Sequence, residues 1–180
     1  GGGLGGEIWL GDRRQSLGLI GSGTVTGAAQ ARLIPIDLTV SNVSGVGPQR
    51  DVSLVALNDL TVTGIYDLAS LAPGAFSATM RFVAGRDLKF DNATIQNDWF
   101  NLGLPPRDLV GMAGNHINLS GSTLVSGGGG NISLTARNGS ISLIDPLTGA
   151  LSSLRVKGGG DLSLDAQRDI VASARVDPDA

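Results

Sequence analysis

The sequence has 180 residues, a net charge of −3 and only 16% charged residues, and it contains no cysteine. The lack of cysteine excludes disulfide bonds and thiolate metal sites, and the absence of any Lys/Arg cluster argues against nucleic acid as a partner. No stretch approaches the ~20 apolar residues that a membrane-spanning helix needs, so no transmembrane segment is predicted. Abundant Leu, Val and Ile, combined with 28 Gly and 4% aromatic residues, predict a thin aliphatic core.

Residues 1–48 show the least regular pattern, and we expect them to form the first coils of a repetitive fold. The segment GSGTVTG from Gly21 resembles a dinucleotide-binding loop, but its glycine spacing is off by one and no helix follows. The segment AAQARLI from Ala28 is the best helix candidate, yet Pro35 and the β-branched neighbours argue against a helix. We therefore predict turns and short strands here, and no cofactor.

Clear repeats follow over residues 49–173. Three segments share a polar start, alternating aliphatic and polar residues, an alanine and a polar turn before a second short strand. They are DVSLVALNDLTV from Asp51, NISLTARNGSISL from Asn131 and DLSLDAQRDIVAS from Asp161. Two looser relatives, GRDLKFDNATI and GNHINLSGSTLV, begin at Gly85 and Gly114. Because side chains alternate between the two faces of a strand, this period of two predicts half-buried strands.

The inward-facing side chains of these strands are predicted to hold the fold together. They are Val52, Leu54, Leu88, Phe90, Ile117, Leu119, Ile132, Leu134, Leu162 and Leu164. Each strand, at about four to five residues, is too short to bury its own apolar face, whereas stacked copies bury a continuous one. Asn residues in the turns of adjacent coils are expected to stack as hydrogen-bonded ladders.

The predicted fold is therefore all-β, a parallel β-helix (solenoid) whose coils are irregular, because unit starts lie roughly 20 to 30 residues apart. A loop excursion is predicted over residues 96–111, where Pro105 and Pro106 cannot sit in a central strand. A β-sandwich would need longer strands and more aromatic residues. The whole chain, residues 1–180, is predicted to be a single β-helix segment of a larger protein.

Three stretches resemble the repeats of filamentous-haemagglutinin-like exoproteins, which are large surface proteins of Gram-negative bacteria exported by two-partner secretion. They are AGRDLKFDNATI from Ala84, AGNHINLSGSTLVSGGGGNISLTARNGSISL from Ala113 and GGGDLSLDAQRDI from Gly158. The resemblance implies a right-handed parallel β-helix, export of the full-length protein through an outer-membrane two-partner secretion transporter, and a secreted or outer cell-surface location. The Asn-Pro-Asn motifs of that family's secretion domain do not occur, so we do not expect this segment to be the end that the transporter recognises.

The sequence offers few residues for catalysis or metal binding. His116 is the only histidine and stands where other units carry Asp or Asn, so a surface position in a repeat is expected. Asp161, Asp165 and Asp169 could form the carboxylate cluster of a carbohydrate-cleaving enzyme, but the first and third occupy turns and the second is the outward residue of a strand. The single GGGDLSLDA segment lacks the tandem copies of a calcium-binding array. No catalytic, cofactor-binding or metal-binding residue is predicted.

The predicted function is mechanical. The chain is expected to act as the structural shaft of a secreted or cell-surface bacterial adhesin, which mediates attachment or presents a distal module. Its Ser/Thr/Asn-rich outer faces would make weak contacts with host-cell glycans or surface proteins. Two alternatives stay open: a polysaccharide lyase or hydrolase built on a β-helix, and the stalk of a contact-dependent toxin exoprotein.

Overall fold

The structure, a computed structural model, describes residues 36–41, 52–67, 78–97 and 107–172, together with three short strands before them. The described residues form sixteen strands and no helix. The strands are β1 Glu7–Leu10, β2 Arg13–Gln15, β3 Thr24–Thr26, β4 Leu38–Ser41, β5 Val52–Ala56, β6 Leu60–Asp67, β7 Ala78–Ala84, β8 Leu88–Asn97, β9 Arg107–Ala113, β10 Ile117–Ser120, β11 Thr123–Ser126, β12 Ile132–Ala136, β13 Ile141–Ser142, β14 Ser153–Val156, β15 Leu162–Ala166 and β16 Ile170–Val171.

The strands stack in three parallel sheets that wrap around one core. Sheet A contains β5, β7, β9, β12 and β15, and sheet B contains β4, β6, β8, β10, β13 and β16. The second halves of β6 and β8 continue onto a third face, sheet C, where β8 pairs with β11 and β11 pairs with β14. One coil therefore visits sheets A, B and C in turn and returns to sheet A one strand further along.

The bend from sheet B to sheet C is made by a residue with a left-handed backbone. This residue is Gly64 in β6 (φ 76°), Asn92 in β8 (φ 49°) and Gly121 between β10 and β11 (φ 55°). Glycine adopts this conformation without a steric cost, and Asn is among the few other residues that tolerate it. The long strands β6 and β8 are thus each two short strands joined at a corner.

The register brings like residues of successive coils together. On sheet B, Leu60 pairs with Leu88, Leu88 with Ile117, and Ile117 with Ile141. Equivalent residues at the corner before these strands are separated by 28, 29, 24 and 29 residues along the chain. The parallel β-helix with irregular coils that the sequence predicts is therefore confirmed.

Most of the predicted inward-facing side chains form the core. Seven of them are no more than 1% exposed: Leu54, Leu88, Phe90, Ile117, Leu119, Ile132 and Leu134. The rings of Phe82 and Phe90 meet edge to face across sheets A and B, with centroids 5.2 Å apart and an interplanar angle of 78°, a geometry that aromatic pairs favour. Val52 was predicted to face inward, but its side chain lies outside the described residues.

Leu162 departs from the prediction. It is 47% exposed, although its register partner Ile132 is fully buried. Leu164 pairs with Leu134 and is only partly buried against the core. Both residues belong to β15, the last described strand of sheet A, so no described coil covers them. Both residues lie in register with buried residues of the preceding coil, as predicted for inward-facing side chains, and their exposure reflects the lack of a described coil above them.

Two further predictions need correction. A loop excursion was expected over residues 96–111, but Gln96 and Asn97 belong to β8 and residues 107–111 belong to β9. The rest of that prediction, residues 98–106, lies outside the described residues. In the region before residue 49, β1 pairs antiparallel with β5, and β3 pairs antiparallel with β4. The parallel stacking therefore does not extend to the first strands.

The two looser repeats match the other units with an offset of one face of the coil, from sheet A to sheet B. Leu88 of GRDLKF aligns with Leu60 on sheet B, whereas the sequence comparison placed it beside Val52 of sheet A. Ile117 of GNHINL likewise lies on sheet B. The corners before sheet A and before sheet B both place a polar residue ahead of an aliphatic strand, so the strands of these two faces look alike in sequence.

Candidate functional site

A ladder of side-chain acceptors runs along the corner between sheets A and B. In each coil, the residue preceding the sheet B strand accepts a hydrogen bond from the backbone N–H of the equivalent residue in the next coil. Asp37 Oδ1 accepts from the Asp59 N–H at 3.1 Å, and Asp59 Oδ1 accepts from the Asp87 N–H at 3.3 Å. Asp87 Oδ1 then accepts from the His116 N–H at 3.0 Å, and His116 Nδ1 accepts from the Ser140 N–H at 3.0 Å. Ser140 Oγ accepts from the Asp169 N–H at 3.3 Å. We call Asp37, Asp59, Asp87, His116, Ser140 and Asp169 the first ladder.

A second ladder follows the corner that precedes sheet A. Asn131 donates its backbone N–H to Asp108 Oδ1 at 2.8 Å, and Asp161 donates its own to Asn131 Oδ1 at 2.7 Å. The expected stacking of turn residues is therefore found, although aspartate supplies more of the acceptors than asparagine. These bonds satisfy backbone donors that the turn would otherwise leave without a protein partner.

Each residue of the AGRDL segment has a distinct structural task. Ala84 is buried, Asp87 is a member of the first ladder, and Leu88 is fully buried. Arg86 pairs with the Asp59 carboxylate through two nitrogens and lies 3.3 Å from Asp87 Oδ2. The hydrogen bond that Arg86 donates to Asp59, together with the negative charge of that carboxylate, raises the pKa of Arg86. The guanidinium thus offsets the repulsion between successive carboxylates of the ladder.

Gly85 and Gly114 lie where neighbouring coils approach most closely. A Cβ atom on Gly85 would lie 1.8 Å from the Leu57 carbonyl oxygen, and one on Gly114 would lie 2.0 Å from the Gly85 carbonyl oxygen. These contacts are with backbone, which cannot rotate away as a side chain can. The close approach explains why this corner carries glycine in two successive coils.

His116 fills an aspartate position in the first ladder, as the sequence predicts. Its backbone N–H donates to Asp87, and its Nδ1 accepts from Ser140. An imidazole can accept at Nδ1 only when it is neutral with its proton on Nε2. The lone histidine is therefore accounted for by a structural role.

Replacing His116 with Ala should lower the free energy of unfolding by about 1 kcal/mol, because the half-buried Ser140 N–H loses its acceptor. His116→Asn restores an acceptor and should stay within about 0.5 kcal/mol of the parent. Urea denaturation measures both. Equal losses in the two variants would show that the hydrogen bond contributes nothing.

Ser122 is a buried polar residue that the sequence analysis did not identify. It is 1% exposed, its Oγ accepts from the Ala93 N–H at 3.0 Å, and its own N–H donates to Ser152 Oγ at 3.0 Å. A serine in an alternating pattern would be predicted to face outward. Its role becomes visible only in the structure, where it lies at the corner between two sheets. It joins three successive coils where sheet B meets sheet C.

Asp145 organises the loop between β13 and β14, which replaces the sheet B to sheet C corner in that coil. Its carboxylate accepts from the Ser120 hydroxyl of the preceding coil and from the N–H groups of Leu147 and Thr148, at 2.7 and 2.9 Å for the latter two. These donors, the Ser120 hydroxyl above all, lower the pKa of Asp145 from 3.8 to about 2. The loop is thus tied to the coil below it by an ionised carboxylate.

Because the pKa of Asp145 is lowered in the folded protein, part of the folding stability depends on pH. Between about 2 and 3.8 the unfolded chain binds the proton that the folded chain does not, so stability rises with pH in this window and is lost as pH falls through about 2. We expect Asp145→Asn to have a flatter dependence of Tm on pH between pH 2 and pH 4 than the parent. Parallel curves for the two proteins in thermal scans would contradict this assignment.

The outer face of sheet C carries a groove of about 390 Å³. It is lined by Gln96, Thr123, Val125, Ser153, Arg155 and Lys157. The register places Gln96, Val125 and Arg155 in one row across β8, β11 and β14, and the Ser153 hydroxyl donates to Thr123 Oγ1 at 3.2 Å. We call this the outer groove. Its hydroxyl, amide and cationic groups can bind oxygen-rich ligands by hydrogen bonds and charge.

The three aspartates considered for catalysis occupy three different positions around the coil of β15 and β16, the last one described. Asp161 and Asp169 are the last members of the second and first ladders, and Asp165 points outward from β15. Among the described residues, no group of three His, Asp or Glu side chains is arranged to hold a metal ion. Nor does this part of the chain contain a helix of the length and apolar character that crossing a membrane requires.

Comparison of the chain with protein-family models, with curated proteins and with solved structures gave no match. The family resemblance carried by the AGRDL-type segments therefore remains a hypothesis from sequence.

Proposed function

We propose that this chain forms part of the shaft of a secreted or surface-exposed bacterial adhesin, in which it holds a binding or toxic module away from the cell. The observation that supports this proposal best is the uninterrupted stack of coils. Among the described residues, one hydrophobic core includes side chains from Leu38 to Ile141, and side-chain ladders follow two corners. Because each coil binds the next through backbone, side-chain and apolar contacts, the stack is suited to transmit mechanical load along its length.

The absence of cysteine fits export of an unfolded chain through an outer-membrane two-partner secretion transporter, which we propose as a partner of the full-length protein. Nothing needs to be oxidised after export, because the hydrogen-bonded coils supply the order that disulfides supply in other secreted domains. Fold alone does not assign function, so adhesion has to be measured directly.

The outer groove is the surface we propose for weak contacts with host-cell glycans or surface proteins. Its polar lining includes the cationic side chains of Arg155 and Lys157 in a protein of net charge −3. Sugars bind through many hydrogen bonds to hydroxyl and amide groups, and a row of such groups across parallel strands can follow an extended chain. Individually weak contacts gain strength when many copies of the protein act together.

Attachment of coated beads tests this proposal. Beads carrying the folded chain should bind cultured epithelial cells, or defined glycans on an array, above the level of bare beads and in a manner that soluble chain inhibits. The double variant Arg155→Ala/Lys157→Ala should reduce attachment by about tenfold. Lys89→Ala is the matched control, because Lys89 is an outward cation on sheet B beside Asp91 and should change little.

The outcomes separate adhesin from enzyme. Attachment that is equal for coated and bare beads would contradict the adhesin proposal. Incubation with acidic polysaccharides gives the complementary readout, since release of new reducing ends would favour a lyase or hydrolase on the same β-helix. A thermal scan of each variant establishes that it is folded before attachment is compared.

A further inference from the structure

The corner between sheets A and B is one residue longer in the coil of β12 and β13 than in the neighbouring coils. Residues 85–87 join β7 to β8 and residues 114–116 join β9 to β10, whereas residues 137–140 join β12 to β13. The N–H groups of Arg137 and Ser140 still bond to the coil below, each at 3.0 Å. The extra residue therefore lies between Arg137 and Ser140.

The insertion leaves the backbone nitrogen of Gly139 without the partner that this position has in the regular corners. There, the middle residue donates its N–H to the coil below, as Arg86 does to the Asn58 carbonyl at 2.8 Å and Asn115 does to the Arg86 carbonyl at 2.7 Å. Gly139 holds the same place, because its carbonyl accepts from the Arg168 N–H at 3.1 Å. Its own N–H has no hydrogen-bond partner in the part of the chain that the structure describes. Gly139 is buried, and a buried N–H group without a partner is uncommon.

Asn138 is the inserted residue and directly precedes this nitrogen. Its side chain is exposed, and its amide Nδ2 donates to the Gly114 carbonyl at 2.8 Å. Asn138 and Gly139 form the only Asn-Gly dipeptide in the sequence. Glycine has no side chain to hinder ring closure between the amide carbon and the following nitrogen, and a Cβ atom here would lie 2.5 Å from the Asn115 carbonyl oxygen. The corner thus places an amide carbon beside a nitrogen that donates to none of the described residues.

Four other asparagines differ from Asn138, because the N–H that follows each of them donates a hydrogen bond. The acceptors are Asp37 Oδ1 after Asn58, Ser122 Oγ after Asn92, Asp87 Oδ1 after Asn115 and the Asp161 carbonyl after Asn131, at 3.1, 3.0, 3.0 and 2.9 Å. A nitrogen that donates a hydrogen bond must give it up before it can attack a neighbouring carbonyl carbon, which raises the barrier to that attack. At Gly139 this cost does not arise.

We propose that Asn138 is a site of spontaneous deamidation in the folded protein, with the Gly139 nitrogen as the nucleophile. This nitrogen loses its proton to solvent and forms a bond to Asn138 Cγ, while the bond from Cγ to Nδ2 breaks and ammonia leaves. Water then opens the cyclic succinimide at either of its carbonyl carbons, which yields aspartate or isoaspartate. Water is the only co-reactant, and no electrons are transferred.

Both products weaken the contact between this coil and the coil below it. A carboxylate at position 138 cannot donate to the Gly114 carbonyl, so two acceptors face each other where Asn138 now makes a bond of 2.8 Å. Isoaspartate also adds a methylene group to the main chain, at a corner where the would-be Cβ of Gly139 lies 2.5 Å from the backbone of the coil below. Deamidation would therefore loosen the stack at this one corner, and irreversibly.

Peptide mapping by mass spectrometry tests the proposal on the folded chain. The protein is incubated in mildly alkaline buffer and digested with a protease that does not cleave after Arg137, and each asparagine is followed by the mass change from amide to acid. Asn138 should convert about tenfold faster than Asn58, Asn92 or Asn115, because no hydrogen bond has to break before attack. Asn138→Gln should show no conversion at this position over the same period, since its longer side chain would have to close a larger ring.

Ala93→Gly is the matched control, because Asn92 then also precedes a glycine, but one whose N–H donates to Ser122 Oγ. Within this variant Asn92 should convert about tenfold more slowly than Asn138, and a thermal scan verifies that the variant is folded. Equal rates at the two asparagines would overturn the proposal. So would an Asn138 that converts in the chain unfolded by urea but not in the folded protein.

Asn138→Asp reproduces one product and measures the consequence for the stack. Its Tm should lie about 3 °C below that of the parent, because the bond to the Gly114 carbonyl is lost. An unchanged Tm would show that deamidation at this corner does not loosen the contact between the coils.

Discussion

Leu134→Asp should abolish stable folding of the β-helix, with a loss of about 4 to 5 kcal/mol in the free energy of unfolding. Leu134 is 1% exposed and lies on sheet A between Gly111 and Leu164 of the neighbouring coils. A carboxylate there would lose its hydration without gaining a hydrogen-bond partner, and the loss compares with the whole stability of an ordinary domain. Because coils are stable only against their neighbours, one disrupted layer weakens those on both sides.

Two variants control for this result. Ser133→Asp places the same charge on the outward face of the same strand and should change stability by no more than about 0.5 kcal/mol. Leu164→Asp lies in the same column as Leu134 but in the partly buried last coil, and should cost about 2 kcal/mol. Urea denaturation followed by circular dichroism measures all three. If Leu134→Asp and Ser133→Asp unfold at the same urea concentration, the assignment of the inward face is wrong.

Gly114→Ala should be strongly destabilising for a change that adds a single methyl group, with a loss of about 3 kcal/mol in the free energy of unfolding. The added Cβ would lie 2.0 Å from the Gly85 carbonyl oxygen, and the two coils would have to separate to relieve the contact. Separation would lengthen the hydrogen bonds from the Gly114 N–H to Ala84 and from the Asn115 N–H to Arg86, which measure 3.1 and 2.7 Å. Steric strain and weakened pairing therefore act together.

Gly149→Ala is the matched control for the glycine prediction. Gly149 has a positive φ of 70°, but nothing lies within 4 Å of its would-be Cβ. Only the cost of the left-handed backbone remains, at about 1 kcal/mol. A Gly114→Ala variant as stable as Gly149→Ala would show that the coils do not approach as closely as described.

The core of this fold could be predicted because its signal is local. Leu54, Phe82 and Leu134 each stand in a two-residue alternation, and each proves to be buried on sheet A. Burial at the end of the stack could not be predicted in the same way. Leu162 and Ile132 have the same local pattern, and their exposures differ because a described coil covers Ile132 but not Leu162.

Register was harder to predict than face. The corners before sheets A and B both need a side-chain acceptor for the next coil, so Asn131 and Asp87 precede aliphatic strands on different sheets. A comparison based on a polar residue followed by an aliphatic one cannot distinguish the two corners. The full length of β8 could not be predicted for a related reason. Asn92 is a residue typical of turns, but here it bends a single strand from sheet B onto sheet C.

The residues of the candidate site also differ in how far local sequence could predict them. The structural role of His116 could be predicted from its place in the repeat. By contrast, the outer groove joins Gln96, Thr123 and Ser153 from three coils, and no local pattern relates them. Surfaces of this kind become visible only once the coils are stacked.

Disulfide trapping tests the central claim most directly, because the chain has no cysteine of its own. Lys89 and Asn118 point outward on sheet B and are register partners, and Ser142 is the next residue in the same row. Neighbouring strands lie about 4.8 Å apart, within the Cα separation that a disulfide spans, whereas strands two layers apart are about 10 Å away and outside it. Parallel stacking predicts that Lys89→Cys/Asn118→Cys oxidises to a disulfide in the folded protein and that Lys89→Cys/Ser142→Cys stays reduced. Equal oxidation of the two pairs, or a disulfide in the second alone, would contradict the stacked register.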